Sequence, residues 1–313
     1  MRRACRQYCS GPMELRKLLK GRAILNEPLA KHTTFGIGGA ARFFIKPRDE
    51  EDLKVLLGVL KKGKIRFLII GSGSNILVSD KGVKAAVISL SAPFFCAIKA
   101  GPASIEAGAG VRLAGLIRFA LRKNLSGLEF LSGIPGTVGG ALVMNAGISE
   151  GTKQHIQRCI SDNLLCVKVL DASGRIRNIL KKDIMFGYRS SDLGRYVILS
   201  ARFRMRHAPR KAIAERVRGY LAYRKKMHGW AARSAGCVFK NPAGTSAGKL
   251  IDMCGLKGII RGGAQISGKH ANFILNTGKA TAADVLYLMG VMRKRVKQKF
   301  GITLEPEIRI WRN

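Results

Sequence analysis

Gly133-Ile134-Pro135-Gly136-Thr137-Val138-Gly139-Gly140-Ala141-Leu142-Val143-Met144-Asn145-Ala146-Gly147 carries no charge, in a chain that holds 56 lysines and arginines against 19 aspartates and glutamates. Glycine at this density lets a backbone approach a ligand with no Cβ in the way. Pro135 fixes its own φ and removes one donor, so the stretch predicts that the amides of Gly136 to Gly140 turn toward one anion, most often a phosphate. A second loop of the same character lies upstream, where the apolar run Ile65 to Ile70 empties into Gly71-Ser72-Gly73-Ser74-Asn75. A strand followed by a glycine-serine loop offers amides and hydroxyls to a phosphate. Ile76 stands where a GxGxxG fingerprint needs its third glycine, which argues against a classical dinucleotide fold.

Around these loops, 313 residues predict roughly two domains with a substantial core. No uncharged apolar run approaches the ~18 residues of a membrane span. Met1 to Pro12 is arginine-rich without the apolar region of a secretory signal, so it reads as a leader or as a prelude to a start at Met13. The seven cysteines, Cys5, Cys9, Cys96, Cys159, Cys166, Cys237 and Cys254, show neither zinc spacing nor a disulfide framework. Reduced thiols in a cytoplasmic chain, with no metal site, are expected. The net charge of +37 is spread through every segment, including Arg202 to Arg210, Arg216 to Lys226 and Arg293 to Lys299. Without aromatic interleaving or a groove-entering motif it favours steering of anionic small molecules over specific nucleic-acid binding.

In chain order, Leu15 to Gly21 predicts a short helix and Arg42 to Lys46 a strand. Asp49 predicts an N-cap ahead of Leu53, Leu56, Leu57 and Leu60 at helical spacing, with Gly63 ending the run. Short β-like runs follow at Ala86 to Leu90, Phe94 to Lys99 and Ser104 to Ala107, then an amphipathic helix over Leu113 to Arg122. Leu164 to Leu170 and Arg175 to Ile179 flank Asp171-Ala172-Ser173-Gly174 as a hairpin, and Val197 to Met205 is another strand. From Pro209 the texture changes. Ile213, Val217, Tyr220 and Leu221 mark one helix. Thr281 with Asp284 predicts a capping box for another, carrying Val285, Leu288, Met289, Met292 and Val296. Between these helices Ser234 to Asn276 reads as loop-rich and strand-bearing. The class is α+β, with a boundary near residue 206 and a second α/β domain beyond it.

Taken together, Thr33-Thr34-Phe35-Gly36-Ile37-Gly38-Gly39, Gly71 to Asn75, Gly133 to Gly147, Tyr188-Arg189-Ser190, Ser234-Ala235-Gly236-Cys237-Val238-Phe239-Lys240-Asn241-Pro242 and Leu304-Glu305-Pro306-Glu307 occur in an order that resembles the UDP-N-acetylenolpyruvoylglucosamine reductases, the MurB family, in their shorter, type II form. The resemblance runs from about Met13 to Trp311. It implies a FAD-binding fold of the vanillyl-alcohol-oxidase (PCMH) type. Two subdomains, 13–84 and 85–206, would clasp FAD, and a C-terminal α/β domain, 207–313, would bind substrate, its last strand 304–311 returning to the active site. By the same resemblance Thr34, Phe35, Gly36, Ile37, Gly38, Gly71, Ser72, Gly73, Ser74, Asn75, Gly133, Ile134, Pro135, Gly136, Gly139, Gly140, Asn145 and Ala146 line a non-covalent FAD. His32 is read as a surface histidine and not a flavin anchor.

The implied activity is NADPH-dependent reduction of UDP-N-acetylglucosamine-enolpyruvate to UDP-N-acetylmuramate, a cytoplasmic step of peptidoglycan synthesis, by a monomer. An enol ether bearing a carboxylate resists hydride unless charge can be parked on that carboxylate. A site for it needs a fixed cation, a hydrogen-bond donor and an acid. The resemblance supplies Arg189 as the cation, Glu307 as a stabilising carboxyl and Cys237 as the proton donor. Cys237 stands where serine is more common; a thiol with reference pKa ~8.5 is a workable acid. Strand alternation alone would put Glu305, Glu307 and Arg309 on one face, so the motif chooses Glu307. Tyr188, Arg224, Lys240, Asn241 and His270 are candidates for substrate and NADPH contacts, and Met227-His228-Gly229-Trp230 departs from the family pattern near the diphosphate. Two alternatives stay open: another flavin oxidoreductase of this fold, and a non-catalytic basic protein that has kept it.

Overall fold

The computed structural model describes residues 18–150, 156–228 and 233–313. Helix α1 (Glu50–Lys62) begins at Asp49, whose carboxylate accepts the amide of Asp52. Glu50, Glu51 and Asp52 in its first turn and Lys61 and Lys62 in its last complement the helix dipole. Leu53, Leu56 and Leu60 are buried, each worth ~1.5–3 kcal/mol relative to exposure. Asp52 is buried too, because its carboxylate accepts the amides of Lys20, Gly21 and Arg48. Of the helix expected over Leu15 to Gly21, the first three residues lie outside the described residues, and in the rest only Leu18 is helical before the chain bends at Lys20 and Gly21. Gly229 and Trp230 also lie outside the described residues.

The described chain forms two compact units. The first draws on Phe43–Gly71 and Ala85–Ala222, with the described residues before Asn26. In it Phe67–Ile70 pairs in parallel with Ala86 to Ser89, and Ala86, Val87 and Ile88 are all buried, as a strand covered on both faces requires. A five-stranded antiparallel sheet runs in the order Ile176–Leu180, Leu164–Leu170, Val197–Arg204, Ser104–Gly108, Ile98–Gly101. Along Val197–Arg204 the alternation is plain: Ala201 and Phe203 face the core while Arg202 and Arg204 are exposed. The Asp171 turn closes its hairpin as expected. Hydrogen bonds from Ser173 and the Arg175 amide hold the Asp171 carboxyl at a pKa of about 2. Phe94 to Lys99 departs from expectation: Pro93 opens a 3-10 turn, Pro93–Cys96, that buries Phe95, and strand begins only at Ile98.

Helix α2 (Leu113–Arg122) buries Leu113, Leu116, Ile117 and Ala120. A short helix α3 (Val138–Val143) lies inside the glycine-rich stretch. Helix α4 (Arg210–His228) packs through Ile213, Val217 and Tyr220. It is anchored by Arg216, whose Nε donates to Glu129 and whose Nη2 donates to Ser126, both at 3.0 Å. Burial pushes the Glu129 carboxyl up, but hydrogen bonds from Ser126, Gly127 and Arg216 pull harder and leave it below the usual range.

The second unit joins Asn26–Arg42, Ser72–Lys84 and Tyr223–Asn313. Its core gathers Phe35, Ile37 and Leu77 with Val238, Phe239, Ile251, Ile274 and Leu304 around the apolar face of helix α6 (Ala282–Phe300). Before α6 come helix α5 (Ala247–Met253) and a three-stranded meander, Ile260–Arg261, Ala264–Ile266 and Ile274–Asn276. The Thr281–Asp284 capping box forms, and Asp80 accepts the amides of Ala282 and Ala283 at 2.8 and 3.1 Å, so the orphan donors of α6 are met. Arg309–Trp311 pairs in parallel with Ile76–Val78. Among the described residues no helix is long and apolar enough to cross a membrane.

Candidate active site

In the first unit the glycine-rich stretch is held from beneath. The amides of Val138 and Gly139 donate to Val111 and Ala109, each at 2.9 Å, and the amide of Gly140 donates to Thr137 Oγ1. This corrects the expectation that the five amides of Gly136 to Gly140 point at one anion, since three are spent within the protein. They are spent because Thr137 caps α3, which turns the following residues inward. Gly71 lies against the same cap, where a Cβ would stand 2.4 Å from Thr137 Oγ1.

The far end of the stretch is stitched to the hairpin that carries Tyr188 and Arg189. Asn145 donates to Gly187 O at 3.1 Å, Ser191 Oγ donates to Leu142 O and Val143 O, and Arg189 Nη1 donates to Gly147 O at 3.0 Å. Arg189 has φ 53° in the two-residue turn between the paired Gly187 and Ser190. A left-handed backbone is uncommon for a residue other than glycine, and here the pairing on either side holds it. Its guanidinium lies 5.5 Å from the Tyr188 ring centre.

In the second unit Thr34 joins three segments. Its amide donates to Gly73 O at 3.2 Å and its hydroxyl to Ser234 O at 2.6 Å. Gly73, at φ 62°, passes so close to His32 that a Cβ would stand 2.1 Å from the His32 carbonyl. His32 keeps 23% of its side chain exposed, and its ring meets Glu27 at 3.0 Å. Asn276 is buried and donates to Phe35 O at 2.8 Å, holding the Phe35-Gly36 turn. A cleft of about 410 Å³ is lined by Ala30, Lys31, Thr33, Thr34, Gly36 and Arg233.

Cys237 and Glu307 lie on adjacent backbones of this unit. Glu307 N–H donates to Val238 O at 2.9 Å, Lys240 N–H donates to Glu305 O at 2.8 Å, and Phe239 bridges Pro306. Both Cys237 and Glu307 are half-buried. The shared face of Glu305, Glu307 and Arg309 does not form, because regular strand begins only at Arg309. Glu305 is exposed and pairs with Lys240 at 3.5 Å. Asn241 Oδ1 accepts the amide of Ala247 at the start of α5. The His270 ring lies 4.8 Å from that of Phe273 and its Nδ1 accepts the amide of Asn272, while burial pushes its pKa down. Arg224 is half-buried on α4.

The sequence profile of an FAD binding domain matches residues 41–180, and that of the UDP-N-acetylenolpyruvoylglucosamine reductase C-terminal domain matches residues 228–311. The UDP-N-acetylenolpyruvoylglucosamine reductase of Desulforamulus reducens is 40% identical over 305 residues, 97% of this chain and 98% of its own. That of Syntrophobacter fumaroxidans is 42% identical over 291 residues, 91% of this chain and 82% of its own. The chain belongs to the UDP-N-acetylenolpyruvoylglucosamine reductase family.

The crystal structure of the Thermus caldophilus reductase agrees, with a TM-score of 0.77 at 37% identity over 94% of this chain and 100% of that one. The chain is thus an FAD-dependent oxidoreductase of α+β fold. The reaction of the reductase family is the reduction of UDP-N-acetylenolpyruvoylglucosamine in peptidoglycan synthesis.

The residues present fit FAD. Ser132 Oγ and Asn145 Oδ1, at the two ends of the glycine-rich stretch, are buried with no hydrogen-bond partner among the described residues. Buried polar atoms left unmet inside a protein call for a ligand or water. Sequence reasoning named Asn145 but missed Ser132, Lys31, Arg233, Asn272 and Asn276. Ser132 and Arg233 each stand next to a family motif, which was the available signal. Asn272 and Asn276 read as loop polarity, and only their burial reveals them.

Proposed function

We propose that the chain reduces UDP-N-acetyl-3-O-(1-carboxyvinyl)-glucosamine to UDP-N-acetylmuramate, with NADPH as the electron source, Arg189, Cys237 and Glu307 as the catalytic groups, and FAD held non-covalently in a monomeric, cytoplasmic enzyme. When bound, FAD would supply the hydride chemistry that links NADPH to C3 of the enol ether. Arg189 neutralises the substrate carboxylate, onto which the charge arising at C2 spreads. Glu307, in its protonated form, would donate a hydrogen bond to the same enolate. Cys237 then gives its proton to C2 and is restored from solvent. Tyr188, Arg224, Lys240, Asn241 and His270 are assigned to the nucleotide, and Lys31 and Arg233 add cations beside the cleft over Gly36.

The observation that carries this reading is the direct backbone pairing of the Cys237 and Glu307 segments, with Glu307 N–H on Val238 O at 2.9 Å. The pairing ties the proposed proton donor and carboxyl partner to adjacent hydrogen-bonded backbones, which supports their serving one substrate. Stopped-flow absorbance at the flavin band tests the assignment, because the two half-reactions are read separately. Cys237→Ser should keep measurable turnover. Cys237→Ala should lose ~10²–10⁴-fold in reoxidation by the enolpyruvyl nucleotide while NADPH still reduces the flavin normally. Wild-type reoxidation by Cys237→Ala would remove the thiol from the mechanism.

A further inference from the structure

The run Cys237 to Lys240 is hydrogen-bonded along both edges, although neither neighbour is a regular strand. One edge is the 305–307 segment described above. On the other, Val238 N–H donates to the backbone carbonyl of Asn272 at 2.9 Å, and Cys237 bridges Phe273. There the backbone partner runs out, and the side chain of Asn272 takes over. Its Oδ1 accepts Phe239 N–H at 3.0 Å, and its Nδ2 donates to Phe239 O at 2.8 Å. Asn272 is 1% exposed, so water does not compete. A primary amide is being used as the missing residue of an antiparallel ladder.

We propose that Asn272 is a positioning residue that fixes Cys237 in register with Glu307; the proposal rests on the reading of those two residues as proton donor and carboxyl partner. The choice of asparagine follows from the geometry. An acceptor and a donor are needed side by side at one reach from the backbone. An aspartate would turn a second oxygen against the Phe239 carbonyl, and a leucine would leave both Phe239 groups buried and unmet. With the amide in place, the Cys237–Val238 backbone can shift only by breaking two bonds at Phe239 together. Misplacement of a reacting group by about an ångström is enough to cost ~10²-fold in rate.

The test uses the FAD-loaded enzyme carrying Asn272→Ala, with Asn272→Ser read in the same way should the alanine variant fail to fold. Flavin reduction by NADPH should stay near wild type, while reoxidation by the enolpyruvyl nucleotide should fall ~10- to 100-fold at saturating nucleotide. A second readout needs no turnover. The rate at which iodoacetamide alkylates Cys237, resolved by peptide mass spectrometry, should change severalfold relative to Cys166 in the first unit. Equal slowing of both half-reactions with parallel loss of flavin would make Asn272 merely structural and overturn the proposal, as would an unchanged Cys237 alkylation rate. Should Cys237→Ala itself reoxidise normally, the chemical role of the thiol fails, while the alkylation comparison still decides whether Asn272 sets its position.

Discussion

The side-chain amide of Asn75 donates to the carbonyl oxygen of Glu307 at 3.1 Å, and the carbonyl of Asn75 accepts Arg309 N–H at 2.9 Å. A residue of the glycine-serine loop thus carries the backbone of the proposed catalytic carboxyl. The two belong to one unit and shift together. Asn75→Ala should therefore keep most of its flavin absorbance per protein but slow reoxidation by the enolpyruvyl nucleotide ~10-fold or more, through loss of positioning. Loss of flavin with normal reoxidation in the loaded fraction would assign the amide to the cofactor alone.

Two glycines of the cofactor segments should fail in different ways. A Cβ at Gly71 meets Thr137 Oγ1 at 2.4 Å, whereas at Gly140 the nearest atom is Thr137 Oγ1 at 3.5 Å, an ordinary contact. Gly71→Ala should destabilise the apoprotein by ~1–3 kcal/mol through forced repacking, seen as a lower melting temperature. Gly140→Leu should leave the apoprotein stable yet bind FAD poorly, because its side chain occupies space the protein leaves open. Calorimetry of apoprotein and flavin titration separate the outcomes; full FAD affinity in Gly140→Leu would remove that residue from the cofactor site.

Glu129 is 6% exposed and accepts from Ser126, Gly127 and Arg216. Glu129→Gln keeps the shape but removes the charge that Arg216 answers. It should cost ~2–3 kcal/mol, toward the low end because the Arg216 side chain is partly exposed. The paired change Glu129→Gln with Arg216→Met should recover part of the loss in a double-mutant cycle. Chemical denaturation of the four proteins measures it.

His270 titrates with a definite sign. Burial holds its pKa below the ordinary value, so the unfolded chain binds the proton first as pH falls. Its contribution to stability is whole above the unfolded value of ~6.5 and is lost as pH drops through that value toward the folded one. Thermal melts should show stability declining on acidification from about pH 7.5 to about pH 5.5, and His270→Gln should make that slope shallower. A slope unchanged in the variant would assign the decline to other groups.

What could be read from sequence was local. The Asp49 cap, the Thr281–Asp284 box, the Leu113–Arg122 helix and the Asp171 turn each have all their determinants within a few residues. Helix α3 was not legible, because Gly139-Gly140 opposes helix on propensity and packing against Ala109 and Val111 overrides it. The Phe239 partner of the Asn272 side chain lies 33 residues away and the Phe35 carbonyl that Asn276 Nδ2 meets lies 241 away, so these long-range bonds leave no mark in the sequence nearby. The change of texture after residue 206 reports the start of α4 at Arg210, a change of secondary structure. Membership of the second unit is decided otherwise, by whether a side chain enters the core of Phe35, Leu77 and Leu288, and that draws in Asn26–Arg42 and Ser72–Lys84 from far upstream.

That three-part origin of the second unit sets an order of events at the ribosome. The first unit has all of its chain once Ala222 has emerged and can close its core while synthesis continues. Phe35, Ile37 and Leu77 emerge early, yet their packing partners Val285, Leu288 and Met292 are translated some 200 residues later, and contacts of such sequence separation form slowly. From then until α6 emerges the nascent chain therefore carries a folded unit together with two sticky segments awaiting their other half. Stalled chains that stop short of α6 should be held by chaperones through residues 26–42 and 72–84, and released when the helix arrives.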